Sequence, residues 1–279
     1  MTPGRKTKTG YSTDAATLER LRSEHAVVDE LLAYREVEKL RSTYGEGLLT
    51  AVNSDDRIRA TFHQTVTRTG RLSSDAPNLH NIPVRTESGR AFRQAFIPAT
   101  GYTLLVADYN QIELRCIAHL SEDVGLLAAF HAGDDVHTAV ASKTWNVNSK
   151  DVTPEMRNRA KMVAYGLAYG MESYGLAQRL DISTEEASEI LNSYFGAFPG
   201  VRDYMERSVH EAREKGYTET LLKRRRRIPE LESNNFNIRQ AGERQAMNAP
   251  IQGLAADIFK IALVGIHRRL ISSSLNSRL

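Results

Sequence analysis

A single cysteine, Cys116, stands among the 279 residues, so no internal disulfide can form. That excludes the disulfide-stapled scaffolds of small secreted proteins and fits a reducing, cytoplasmic setting. Zinc-type Cys/His spacing, a phosphate-cradling glycine loop and internal repeats are all missing. No apolar run approaches the length of a membrane span, and the basic start MTPGRKTKTG has no apolar segment after it. The expectation is a soluble intracellular protein with no membrane partner. Charge of one sign is also scarce. The net charge is only +3, so bulk charge announces no nucleic acid, although the run KRRRR at 223–227 is locally dense. What remains is an ordinary globular balance, 41% hydrophobic and 25% charged, in a chain long enough for one large domain or two modest ones.

The most informative stretch is TLLVADYNQIELR, residues 103–115. Leu104, Leu105 and Val106 predict a short buried strand that ends on Asp108. Ile112, Cys116 and Leu120 then recur at helical spacing. A carboxylate at the end of a core strand is costly without a partner. It can bind a metal or cap the following helix, and the residues alone leave both open.

Before this stretch, an amphipathic pattern from Thr13 or Asp14 through Leu18, Leu21, Val28, Leu31, Leu32, Val37 and Leu40 predicts two helices. They are broken around Glu24 to Val27 and end near Gly45. Arg35, Lys39 and Arg41 lie on a polar face, either merely solvated or set against phosphate. Alternation over residues 57–69 predicts a half-exposed strand. TGRLSSDAPNLHNIPVR then reads as a long structured loop, with Arg71, Asn78, Asn81 and Arg85 as donors to sugar, phosphate or base edges, or as turn formers. Two more strands are predicted at 92–97 and 102–108, joined by a PATG turn.

After it, short helices are predicted at 122–131 and 135–146, with His137 near the start of the second. Thr153-Pro154-Glu155 predicts a strong helix start. In the helix beyond it, Arg157, Lys161 and Tyr165 are four apart and share one face, drifting about 40° per step. Two cations and an aromatic edge can hold a polyphosphate and stack a base; a solvated basic face is the plainer alternative. Tyr169 continues the series beyond Gly166. Helices at 184–195 and 200–215, an extended segment at 217–222, and a helical region at 238–272 interrupted at Pro250 complete the reading. Arg244, Asn248 and Gln252 are again four apart, with the proline between them weakening the case for one face.

Four blocks, in order and at matching spacing, resemble the family A DNA polymerases: TGRLSSDAPNLHNIPVR, DYNQIELR, RNRAKMVAYGLAYG and NAPIQGLAADIFK. The resemblance covers nearly the whole chain. It implies an α+β fold, a partial right hand with an antiparallel palm sheet, mainly helical fingers and a thumb-base remnant. Residues 1–55 would be thumb base, 56–120 the first part of the palm, 121–245 fingers and 246–279 the palm helix. The implied reaction is attack of a primer 3′-hydroxyl on the α-phosphate of a deoxynucleoside triphosphate, in replication or repair.

By the same resemblance, Asp108 with the Tyr109 carbonyl would bind Mg2+ in a two-metal site. Gln111, Glu113, His137, Arg157, Lys161, Tyr165 and Tyr169 would bind the nucleotide, Glu113 excluding ribonucleotides and Lys161 giving a proton to the leaving group. Arg71, Asn78, Asn81, Arg244, Asn248 and Gln252 would grip primer-template DNA. The chain departs from the family pattern at His63, His80, Asn110, Lys223 and Arg227. The third family motif, a His-Asp-Glu with the second metal-binding aspartate, occurs nowhere in it. The expectation is therefore a fragment truncated before that motif, acting near the nucleoid. A separate chain supplying the missing carboxyl-terminal palm would complete it; otherwise it is a catalytically inactive DNA-binding module.

Overall fold

Asp14 accepts the Thr17 amide at 2.8 Å and so opens the first helix, α1 (Ala15–Arg20), as a side-chain cap should. The structure is a computed structural model and describes residues 6–8, 10–84, 86–133, 135–168 and 170–279. The chain divides into two compact units, one of residues 1–63 and 73–105, the other of 64–72 and 106–279.

In the first unit, α2 (Val27–Lys39) runs directly into a π-helical segment, Leu40–Glu46, and the short α3 (Gly47–Leu49). The predicted break before α2 is present, and the helical run extends a few residues past Gly45. Strand β1 (Thr61–His63) pairs antiparallel with β2 (Ser73–Asp75), Phe62 facing Ser74. A 3₁₀ turn at Leu79–Asn81 and α4 (Glu87–Arg93) come next. Among the described residues, Leu18, Val28, Tyr44 and Leu48 are its buried apolar side chains. Tyr44 sets its ring edge against Phe92, centroids 6.0 Å apart, and donates its hydroxyl to the Asn81 carbonyl.

The second unit is a helical assembly: α5 (Ile112–Ser121), α6 (Val124–His131), α7 (Val136–Thr144), α8 (Pro154–Ala168), α9 (Ser173–Leu180), α10 (Thr184–Ala197) and α11 (Pro199–Lys215). A hairpin of β3 (Tyr217–Glu219) and β4 (Arg225–Arg227) leads to α12 (Phe236–Ser272). Its main core cluster includes Leu114, Ile117, Leu126, Val140, Val163, Tyr194, Phe198 and Ile251, and a smaller one joins Ala212, Ile228, Leu231 and Ala246. Asp123, almost fully buried, caps two helices with one carboxylate. Oδ1 accepts the Leu126 amide of α6 at 2.9 Å, and Oδ2 accepts the Gly200 amide of α11 at 3.0 Å.

Three expectations fail, each for a physical reason. The segment 102–108 forms neither helix nor strand, and Leu105 and Val106 are 93% and 87% exposed. Apolar β-branched sequence gives a preference for extension; only a partner gives a ladder. Residues 92–97 form no strand either. Thr86 caps α4 by accepting the Gly89 amide at 3.2 Å, and the helix carries Glu87 in its first turn and Arg90 and Arg93 in its last. Capping and charge placement outweigh the β pattern there. Of the strand predicted over 57–69, only Thr61–His63 forms a ladder, with Ile58 making a single antiparallel bridge to Val52. The PATG turn itself is present, with Tyr102 donating to the Ala99 carbonyl at 2.9 Å and Gly101 at positive φ.

Helix α12 also runs unbroken through Pro250. An interior proline costs about 3 kcal/mol. Every residue from Ala249 to Asp257 is buried here, and that burial outweighs the lost hydrogen bond. By length and composition α12 is apolar enough to cross a membrane, which corrects the expectation that no run approaches that length; half of the apolar window is buried within the protein. Helix α9 has no counterpart among the predicted elements.

Lys223 sits at φ +68°, a backbone region that suits glycine. A non-glycine residue there is strained by about 1–2 kcal/mol, and glycine's extra freedom in the unfolded chain returns about 0.4–1 kcal/mol of that. Lys223→Gly is expected to stabilise the protein by a net of about 0.5–1 kcal/mol, read as a higher urea midpoint. An unchanged or lower midpoint counts against strain at this turn.

Candidate functional site

Two helices of the second unit build the densest group of candidate residues. Asp135, the cap of α7, accepts the Thr138 amide at 3.1 Å and its hydroxyl at 2.5 Å. The same carboxylate takes a two-point contact from Arg157 on α8, Nε at 2.6 Å and Nη2 at 3.0 Å. Arg157 holds the Asp135 carboxyl well below its usual range. One turn along α8, Lys161 is exposed, and among the described residues it forms no ion pair. One turn further, Tyr165 lies half-buried with its ring 5.8 Å from that of His137. His137 is 3% exposed, and its Nδ1 has no hydrogen-bond partner. Burial lowers its pKa against the raising pull of Asp135, so the ring is neutral at pH 7. The structure thus sets Arg157, Lys161 and Tyr165 along one helix, as their spacing predicted, and brings His137 against Tyr165. Tyr169 lies outside the described residues.

A second group surrounds the start of α5. Gln111 is the residue before the helix and adopts a left-handed conformation, φ 56° and ψ 41°. Asp108 and Tyr109 precede it in the irregular segment and are exposed. Asp108 therefore caps nothing here and does not end a buried strand. Glu113, in the first turn, is paired with Arg71 from the 64–72 segment. Arg71 is positioned from behind by a buried network. Asp257 on α12, 6% exposed, accepts Thr220 Oγ1 at 2.8 Å and Arg224 Nε at 2.7 Å. Gly70, at φ +83°, packs so closely on that guanidinium that a Cβ would lie 2.6 Å from Arg224 Nε. Lys260 donates to the Gln64 carbonyl at 2.7 Å and ties down the other end of the segment.

Because α12 is continuous, Arg244, Asn248 and Gln252 do form one stripe, partly to fully buried. Arg244 and Gln240 reach Glu172, just ahead of α9, at 3.4 and 2.8 Å. In the first unit, Asn78 accepts the His80 amide at 3.1 Å, and Asn78 and Asn81 line a cavity of about 480 Å³ with Lys39 and Tyr44. Arg35 and Arg41 are engaged locally, by Thr13 and by Glu38 and Glu46. Arg85 lies outside the described residues. Among the described residues no three His, Cys, Asp or Glu side chains gather as a metal cluster. The buried Cys116 thiol is pushed up to about 11 by desolvation, so it is no nucleophile at neutral pH.

The family model for DNA polymerase family A matches residues 1–279. The chain belongs to DNA polymerase family A. It is 52% identical to DNA polymerase I of Mycobacterium leprae, covering 99% of this chain and 31% of that protein. To DNA polymerase I of Geobacillus stearothermophilus it is 50% identical, over 99% of this chain and 32% of the relative. Among solved structures it is similar to the POL domain of Pol1 from M. smegmatis in complex with DNA primer-template and dNTP. That match has a TM-score of 0.91 and 51% identity, covering 100% of this chain and 49% of the other. The family A chain thus spans about a third of the length of the curated relatives it matches. Its fold agrees with the expected mix of helices and antiparallel strands, with helix dominant and each sheet only two-stranded.

Sequence reasoning on this family A chain missed two partners of the candidate residues and their neighbours. Asp135 gave a local signal, as the first residue of a predicted helix, but nothing local pointed to Arg157 22 residues away. Asp257 lay inside a recognised block and read as one more helix residue. Its partners, Thr220 and Arg224, sit in a hairpin more than 30 residues earlier. Of the departures from the family pattern, His80 packs its ring on Phe62, centroids 5.7 Å apart. The Asn110 carbonyl accepts Arg115 Nε at 3.0 Å.

Proposed function

We propose that this chain carries the nucleotide-binding part of a DNA-directed DNA polymerase, acting on primer-template DNA and deoxynucleoside triphosphates in replication or repair, in the cytoplasm at the nucleoid. The observation that supports this most is the face of α8, with Arg157, Lys161 and Tyr165 in line and neutral His137 behind the ring. Residues 1–55 serve as thumb base, 56–120 as the first part of the palm, 121–245 as fingers and 246–279 as the palm helix.

On this reading the base and sugar lie beside Tyr165, and the phosphates run toward Lys161 and Arg157. Lys161 Nζ neutralises the α- and β-phosphates and gives a proton to the departing pyrophosphate. Glu113, restrained by Arg71, closes the space beside the sugar 2′-carbon, and Gln111 and Tyr169 border the nucleotide. Arg71, Asn78, Asn81, Arg244, Asn248 and Gln252 grip the DNA. The exposed Asp108 carboxylate and the Tyr109 carbonyl are hard oxygen donors that fit Mg2+, which commonly takes one or two carboxylates and completes its shell with phosphate oxygens and water. Bound there, Mg2+ supplies Lewis-acid stabilisation of the reacting oxygens.

A second reading, a DNA-binding module without catalysis, is favoured by the absence from this sequence of the His-Asp-Glu run that carries the family's second metal-binding aspartate. Primer extension with magnesium, by the chain alone and with a carboxyl-terminal complement, separates the two. Extension only with the complement is the expected result. Salt-sensitive primer-template binding without extension in both cases establishes the binding module instead.

A further inference from the structure

We propose that Asp135 is a built-in competitor for the terminal phosphate of the nucleotide. It holds the guanidinium that a polyphosphate must recruit, and so sets how tightly a triphosphate is kept and how readily pyrophosphate leaves. This rests on the nucleotide-binding reading of α8.

The geometry is specific. Asp135 is not a drifting surface acid. The Thr138 amide and hydroxyl fix its carboxylate as the cap of α7, at 3.1 and 2.5 Å. Both of its oxygens then engage Arg157, at 2.6 and 3.0 Å, using Nε and Nη2 together. This is the planar fork that a phosphate also needs. A guanidinium that meets a phosphate through the same edge must release the carboxylate. Both partners are partly exposed, 41% for Arg157 and 36% for Asp135, so the exchange needs no opening of the core.

Position along the helix decides which ligands this exchange opposes. Arg157 lies two turns from Tyr165, about 12 Å at 1.5 Å per residue, with Lys161 between them. A nucleoside seated against Tyr165 reaches Lys161 with its first phosphates and Arg157 only with its last. The competition falls on triphosphates and on pyrophosphate. A monophosphate does not meet it. After bond formation, the carboxylate recaptures Arg157 as the pyrophosphate moves off, so the same contact that weakens binding speeds release.

The test compares wild type with Asp135→Asn in the full chain, titrating dATP, dAMP and inorganic pyrophosphate calorimetrically at low salt. Asparagine caps a helix about as well as aspartate, so the fold is kept while the charge opposing Arg157 is removed. Exposed ion pairs of this kind are worth a factor of about 1.5 to 5. The expected result is dATP and pyrophosphate binding tightened about two- to five-fold, with dAMP unchanged and the gain lost in an Arg157→Gln background. Arg157-dependent dATP binding that Asp135→Asn leaves unchanged or weakens overturns the proposal alone. Absence of Arg157-dependent binding in wild type overturns the nucleotide reading of α8 and the proposal with it.

Discussion

Asp257→Ala is expected to lower the stability of the second unit by about 2–3 kcal/mol. Removing one partner of a buried ion pair strands the other charge, at a cost of about 3–5 kcal/mol when both are fully enclosed. Arg224 keeps 36% of its side chain in solvent and so recovers part of its hydration, which places the effect at the lower end. Thr220 loses its acceptor at the same time. Trp145, the sole tryptophan, belongs to this unit, so a urea titration followed by its fluorescence reads the change directly. Replacing both partners, as Asp257→Leu with Arg224→Met, should restore much of the loss, because no charge then remains unpaired. A single-variant effect below about 0.5 kcal/mol, the range of ordinary surface changes, rules out an energetic role for this network.

The second large effect concerns chemistry. In primer extension supported by a carboxyl-terminal complement, Lys161→Ala is expected to lower the single-turnover rate by about 10²–10³ and to weaken triphosphate binding. Lys161→Arg separates the two duties. Arginine keeps the positive charge that holds phosphate but does not release its proton at any working pH. Binding should therefore recover in Lys161→Arg while the rate stays low. An arginine variant as fast as wild type removes the proton-donor role and leaves Lys161 as an electrostatic contact only.

Much of this architecture could be read from local sequence, and the reason is capping chemistry. Asp14, Asp123, Asp135, Thr153 and Ser183 all accept amides of the helices they precede, and Gly216 closes α11 in a left-handed conformation. Such signals act over three or four residues and need no knowledge of the rest of the fold. The spacing of Arg157, Lys161 and Tyr165 is legible for the same reason, since a helix turns period into a face. Strands are harder to read. The alternation around Phe62 and the apolar run at 104–106 express a preference that only a neighbouring strand can turn into structure. The proline in α12 misleads in the opposite sense, because its local penalty is outweighed by the burial of residues 249–257. The contacts of Asp135 with Arg157, Asp257 with Arg224, and Arg71 with Glu113 join residues 22 to 42 apart, and no local pattern encodes them.

The interleaving of the chain bears on how the protein can be dissected. The polypeptide passes from one unit to the other after residues 63, 72 and 105, so no contiguous stretch of gene encodes either unit whole. A truncation that starts at residue 106 discards the nine residues 64–72, and with them Gly70 against Arg224 and Arg71 against Glu113. One that ends at residue 105 carries those nine residues without the helices that hold them. Expression of either unit alone calls for a spliced gene, in which 64–72 is grafted ahead of residue 106 and a short linker joins residue 63 to residue 73. Because β1 and β2 are antiparallel and His63 faces Ser73, that linker needs only the few residues of an ordinary hairpin turn.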